Sequence, residues 1–396
     1  MPKIPECGKI TQSEKMLRKP RVRNARREET VMKFVCEGLV LSDAAITVSK
    51  ACAARTTMPV LECIRMTAEN DGVTLVAYDG ELSICKKVKA DVLEEGEICV
   101  NGRFFSDFIV KVSDMTVSVG TCEKGLEISY GDSRSFLQTL PASDFPKLKS
   151  EDGSDYFQVK QSAFKELIGR TVFCCATDES RPILKGCLLE AGEGKLRATA
   201  LDGYRMATAE CEAEGSGSLK LVCPARTLTE ISRMLDDGEE SLRVGVSKNM
   251  LSVTVDDTAV ESRLYTGEFV NAEKIYPHEF ATAVKVSKAE LSESVERAIV
   301  LIRGDKNNLV LFEIKGDGIL ITANSEIGNV SETVKAELTG RELKIAMNGK
   351  YLLDALKVLD EETIVLSFNT PVSPFTLENE NDKGNSCLIL PVRTSA

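Results

Sequence analysis

The chain has no tryptophan and a single histidine, His278, among 396 residues, and aromatic side chains make up only 5% of it. Without tryptophan, or aromatics interleaved with basic residues, there is no platform on which single-stranded bases would stack. One histidine supplies neither an imidazole acid/base pair nor a histidine-bearing zinc set. Nucleophile-elbow, Walker and dinucleotide loops are missing too. The stretch Gly192 to Lys195 lacks phosphate-loop spacing and reads as a hairpin turn. No apolar run approaches the roughly 18 residues that cross a bilayer. The first 30 residues have no apolar core of the kind a secretory signal needs. The thirteen cysteines are scattered and show no CxxC spacing. They read as small buried side chains in a reducing cytosol rather than as disulfides or metal ligands. Carboxylate runs such as Glu239-Glu240 and Asp360-Glu361-Glu362 fall in turn regions and read as solvated charge. Enzyme is therefore the less favoured class, no cofactor or metal is expected, and the expected location is the cytoplasm.

Charge is unevenly spread. The chain totals −11, but residues 1–30 carry nine Lys/Arg against four Glu, net +5, which leaves −16 for the rest. So acidic a body argues against nucleic acid coating the whole surface, while leaving room for a local basic lining.

What is present is repetition. Ala77, Ala200 and Ala323 end apolar strands 123 residues apart, and Arg103, Arg226 and Lys350 open helical stretches at nearly the same interval. Three apolar stripes share the spacing i, i+4, i+7, i+11 of one helix face: Leu41, Ala45, Val48, Cys52; Phe164, Ile168, Thr171, Cys175; Leu291, Val295, Ala298, Ile302. A single stripe is ordinary core; three at one period mean three equivalent domains, which suits a length beyond one hydrophobic core. Each repeat reads strand, helix, strands, helix, strands. In repeat one the helices are expected over Ser42–Ala54 and Arg103–Val112. Hairpin turns are expected at 70–72, 192–194 and 316–318, each with a residue at positive φ. The fold class is α+β, with two helices on one face of antiparallel strands in each unit. The expected domains are 32–153, 154–276 and 277–396. Residues 1–31 are a basic extension expected to be disordered, and Met32 is a candidate start.

Off the apolar stripes, all six helices are expected to carry basic groups, among them Lys50, Lys111, Lys165, Arg170, Arg233, Arg297 and Lys357. Glu166, Glu230, Glu293, Glu296 and Asp354 share these helices, so a solvated face and a phosphate-facing lining both remain open. Any such binding would be sequence-neutral and salt-dependent.

Three phrases stand in order on this repeat: Thr139 to Pro146 (TLPASDFP), Leu201 to Met206 (LDGYRM) and Leu390 to Arg393 (LPVR). With Met32-Lys33-Phe34 and Arg55 to Pro59 (RTTMP), they resemble the bacterial β sliding clamps, the processivity subunit of DNA polymerase III. The resemblance spans residues 32–396. It implies a head-to-tail homodimeric ring of six domains, with helices lining the hole and sheets outside, held on double-stranded DNA by topology. It also implies polymerase catalytic subunit, clamp loader and other proteins as partners, each inserting a short apolar peptide between domains two and three. By position that groove comprises Leu184, Gly203, Tyr204, Met206, Val270 and Ile275, with Asn348, Tyr351, Pro374, Leu388, Leu390, Pro391 and Arg393, and with Arg181 and Arg205 at its rim. Departures are Leu201 for a more usual Thr, Tyr204 for His, Val270 for Pro, and the added tail Thr394-Ser395-Ala396. DNA contacts carried over or read from the helices are Arg55, Arg103, Arg170, Arg181, Arg226, Arg233, Arg297 and Lys350, with Asp178 and Pro182 beside Arg181. The dimer contact is expected at Arg103, Phe108 and Lys111 of one chain and at Val286, Glu290 and Arg297 of the other. A partner-binding paralogue that is never loaded, and a DNA-processing enzyme built on the same repeats, are the alternative readings.

Overall fold

The computed structural model describes residues 32–70, 72–148, 155–215, 217–277, 279–302, 308–382 and 384–393. The basic extension, His278 and the tail Thr394-Ser395-Ala396 lie outside the described residues. Each repeat supplies two helices: α1 (Gly38–Ser49) and α2 (Gly102–Ile109), α3 (Gln161–Gly169) and α4 (Ala225–Met234), α5 (Lys288–Leu301) and α6 (Gly349–Leu356). The two helices of each repeat pack on one another and on the strands behind them. Leu41, Ala45, Val48, Phe164, Ile168, Leu291, Val295, Ala298 and Ile302 of the three stripes are buried in the core.

Two helices end sooner than the stripes imply. α1 runs from Gly38 to Ser49, not Ser42 to Ala54, so Cys52 lies beyond it. α3 stops at Gly169; Thr171 is nevertheless fully buried because the chain makes a tight turn over Val172–Cys174 against the same core. Thr171 donates its hydroxyl to the Leu167 carbonyl (2.8 Å), a local bond that competes with continued helix. A second correction concerns α1, whose sheet-remote face exposes Leu39, Val40 and Ile46 rather than basic groups, with Lys50 only at its C-cap. Third, Asn70 (φ 54°) and Glu193 (φ 53°) take left-handed conformations in their hairpins, but the turn at Gly316-Asp317 contains no positive φ.

The second helices start where backbone runs close to a neighbour. A Cβ on Gly102 would lie 2.4 Å from the Cys52 sulfur, and one on Gly349 would lie 2.7 Å from Val310. Ala225 holds the same place in repeat two. Asn101 and Asn348 cap α2 and α6 by accepting from backbone N–H groups.

Repeats one and two each divide their strands between two sheets, those of repeat three all join one, and the sheets run across the domain joins. A ten-stranded sheet unites repeats one and two through Leu82–Lys89 against Thr258–Arg263; a twelve-stranded sheet unites repeats two and three through Arg205–Glu212 against Ser386–Ile389. Both pairs are antiparallel and join equivalent strands. The remaining strands of repeat one form a five-stranded sheet ending in Ser133–Leu137. In repeat three the strand Gly328–Gly340 pairs with Gly318–Ser325 along its first half and with Thr282–Ser287 along its second.

Candidate partner groove and lining helices

Strand alternation sorts the side chains of the second join. Ala200, Ala207, Cys387 and Ile389 turn toward the helices; Leu201, Met206 and Leu388 turn outward. The outward residues meet Leu184 and Phe269 in a buried apolar cluster, against which Val270, Ile275 and Leu390 pack partly exposed. Six of the expected groove residues therefore come together. Leu188, Val222, Tyr265 and Tyr276 belong to the same cluster and were missed by the reading of the sequence. The signal for Leu188 and Val222 was available, since both occupy outward positions of their strands.

Gly203 sits at the tip of this face with φ 92°. The Asp202 carboxylate accepts from the N–H groups of Tyr204 (2.8 Å) and Arg205 (3.0 Å), which fixes the turn. Tyr204 is left 63% exposed, its ring 6.5 Å from Tyr351, while its carbonyl accepts from Leu390 N–H (2.9 Å). Asn348 is engaged as the α6 cap that places Tyr351. Val392 N–H donates to the Ala346 carbonyl (2.8 Å) and holds the segment carrying Pro391 and Arg393. Pro374 lies half-buried ahead of Phe375–Asn379, outside the apolar cluster. Arg181 is exposed where the Pro182–Lys185 turn begins. Nearby, hydrogen bonds from Ser180 hold the Asp178 carboxyl below the usual carboxylate range.

Arg205 is placed differently from the rim position expected of it. It points to the helix side of the sheet, opposite to Met206, and its side chain is only 13% exposed. Its guanidinium donates to Asp202 (3.0 Å), to Asp354 of α6 (2.8 Å) and to the Phe173 carbonyl (3.0 Å), and lies 4.4 Å from the Tyr351 ring centroid. Burial alone would pull its pKa down, but the bonds to Asp354 and Asp202 raise it. Arg205 thus ties repeat two to repeat three. Arg170 does the same beside it: it is ion-paired with Glu166 of its own helix, with Asp360, and with Asp382 at 3.8 Å.

Among the other expected DNA contacts, Arg55 and Lys350 are exposed with no ion pair among the described residues, and Arg103 is exposed with only a 4.0 Å contact to Asp107. Arg233 pairs with Glu230 (2.6 Å) and Arg297 with Glu332 (2.6 Å), both still more than half exposed. Arg226 pairs with Asp79 and donates to the Lys50 carbonyl (2.5 Å), bridging repeats one and two. Of the expected dimer residues, Lys111 and Glu290 are exposed, Phe108 packs edge-on against Tyr130 at 5.8 Å, and Val286 is buried in the core of repeat three.

The family model for the DNA polymerase III beta subunit matches in three consecutive parts: its N-terminal domain at residues 32–149, its central domain at 158–271 and its C-terminal domain at 273–393. The chain belongs to the bacterial β sliding clamp family. The beta sliding clamp of Halalkalibacterium halodurans is 32% identical over 379 residues, and that of Bacillus subtilis 33% over 377; each alignment covers 92% of this chain and the whole relative. Among solved structures, the Bacillus subtilis DNA polymerase sliding clamp superposes with a TM-score of 0.87 at 32% identity, covering 92% of this chain and 100% of that one. A Pseudomonas aeruginosa sliding clamp bound to griselimycin gives 0.85 at 27%, with the same coverage. The clamp is accordingly a DNA sliding clamp of the polymerase-processivity type, on the three-domain α+β clamp fold. No helix among the described residues is long and apolar enough to cross a membrane, and no group of three or more His, Cys, Asp or Glu there is arranged to hold a metal.

Proposed function

We propose that two copies close head to tail into a cytoplasmic ring around duplex DNA, and that the ring tethers polymerase III and other partners through the groove at the second join without catalysing a reaction. The observation that carries this reading is the symmetry of the joins. Leu82–Lys89 and Arg205–Glu212 each pair with the last strand of the next repeat. Their equivalent in repeat three is the first half of Gly328–Gly340, whose outer edge has no strand partner among the described residues; the equivalent last strand of repeat one, Ser133–Leu137, is likewise an edge there. Applying the register of the existing joins pairs Gly328 with Leu137, Val330 with Ser135 and Glu332 with Ser133 of the second copy. Such a heterologous contact closes on itself when its rotation permits. Exposed Phe136 at one end, and Val300 with Ile327 at the other, are the apolar surface this contact would cover.

In such a ring the helices face inward. Arg55, Arg103, Arg181, Arg226, Arg233, Arg297 and Lys350 would then meet phosphates weakly enough to slide, while the acidic exterior repels DNA. Arg170 is left out because its charge is spent on three carboxylates. Leu184, Met206, Val270, Ile275, Leu388 and Leu390 would receive the apolar side chains of partner peptides, with Tyr204 and Tyr351 flanking them. Loaded protein is expected to stay on circular DNA and to run off linear ends, with a solution mass of two chains. Equal retention on both DNAs overturns the ring.

A further inference from the structure

The apolar groove does not end at its last apolar residue. Read along the strands of repeat two, the outward face changes character in two steps. The first row, Leu201, Met206 and Leu388, is apolar; two residues on, and about 7 Å away, Thr199, Thr208 and Ser386 form a row of hydroxyls. A further step reaches Lys220, Glu190, Arg197 and Glu210, a row of charges paired side by side. The segment joining repeats two and three passes over these rows and leaves a cavity of about 1100 Å³ beneath it. Phe269 and Val270 of the apolar cluster are among its lining residues, so it adjoins the groove.

Two observations indicate that the cavity is built for a ligand. Ser386 lines the cavity, is only 7% exposed, and its Oγ has no hydrogen-bond partner among the described residues. Buried polar atoms left unsatisfied cost stability unless something from outside meets them. The charge is also unbalanced. Lys220 is matched by Glu190 and Arg197 by Glu210, which leaves Glu268, Glu273 and Glu378 on roof and wall with no ion pair among the described residues.

We infer that this cavity is a polar annex to the partner groove, taking the basic flank of a peptide whose apolar core occupies Leu184, Met206 and Leu388. The inference rests on the groove reading above and deepens it. The flank's backbone or polar side chains would satisfy Ser386, and its lysines or arginines would answer the three unmatched glutamates. Specificity among partners would then be set by what precedes or follows the apolar core, since an acidic flank meets repulsion there.

The test uses the full chain and fluorescein-labelled synthetic peptides sharing one leucine- and phenylalanine-containing core, with three lysines, three serines or three glutamates at either end. At low salt the lysine-flanked peptide is expected to bind about three- to tenfold more tightly than the serine-flanked one, from one end only, and the glutamate-flanked peptide more weakly. Glu268→Lys with Glu273→Lys, both exposed, should erase the lysine advantage and leave the serine-flanked peptide unchanged. A control with the same charge change far away, Glu69→Lys with Glu94→Lys, should keep the advantage. Equal affinity for lysine and glutamate flanks, or an advantage that survives in E268K/E273K, overturns the annex and leaves the groove standing. Failure of every peptide, serine-flanked included, overturns the groove reading and the annex with it.

Discussion

Repeats one and two carry the same outward pocket and fill it differently. In repeat one, Leu61, Cys63, Cys99, Val76 and Tyr78 stand where Leu184, Gly186, Val222, Thr199 and Leu201 stand in repeat two. The chain closes the first pocket itself: Phe145 from the TLPASDFP phrase is 4% exposed within it, 6.0 Å from the Arg65 guanidinium, and Tyr78 donates to the Gly80 carbonyl (2.8 Å). In repeat two the covering segment leaves a cavity over Leu188, Thr199 and Val222, while Met206 and Leu388 from two repeats meet buried next to it. One scaffold thus yields a sealed plug and a cluster bordered by a cavity: both connecting segments bury a phenylalanine, Phe145 or Phe269, but the second leaves space beneath it.

Five variants sharpen or break that contrast. Met206→Lys places a charge in the open pocket and should lower apolar-peptide affinity at least about 100-fold, with the dimer mass unchanged. Fluorescence anisotropy and light scattering read the two quantities, and an unchanged affinity would remove the groove from this face. Phe145→Ala empties the sealed pocket and should cost about 2–4 kcal/mol of stability, seen as a lower urea midpoint, with peptide affinity unaltered. If peptide binding changed as well, the two pockets would not be independent. Arg205→Ala leaves Asp202 and Asp354 without their shared cation and should destabilise repeats two and three by about 1.5–3 kcal/mol, with a smaller, roughly tenfold loss of peptide affinity. Arg205→Lys should restore only part, because an ammonium cannot both stack on Tyr351 and bond three acceptors. The smallest effect belongs to the thiols of the sealed pocket. Burial first, then neighbouring charge, pushes Cys63 up to about 11 and Cys99 to about 12 from an ordinary 9.0. Unfolded thiols ionise near the ordinary value, so this stabilisation is complete below it and drains away as pH climbs through 11 to 12. C63A/C99A should flatten the decline that sets in above about pH 9. A decline identical to that of the parent chain would place the loss elsewhere.

Periodicity made the fold legible because the repeats share it, and the buried faces of α1, α3 and α5 follow their stripes. Helix ends were not legible. Thr171 keeps the stripe's spacing after α3 has stopped, since a tight turn buries the same residues a further helical turn would. The groove was legible chiefly through its phrases, and strand alternation alone would have added Leu188 and Val222. What no local pattern could reveal are the partners of Arg170 and Arg205. Asp360 and Asp354 lie in another repeat, so basic residues that look like free helix-face charge are already committed. Exposed Leu39, Val40 and Ile46 on α1 show the converse, an apolar stripe wider than the core can cover.

In the proposed ring, the edges at Ser133–Leu137 and Gly328–Gly340 would be the two ends through which copies meet. Every join adds its own increment of turn, and only a correct total returns the last rim to the first. A substitution that merely tilted the hinge beneath Arg205 would therefore not produce well-behaved single chains. If the proposed ring forms, it would turn that annulus into a spiral that keeps recruiting copies, a failure against which the ionic clasps between repeats would guard.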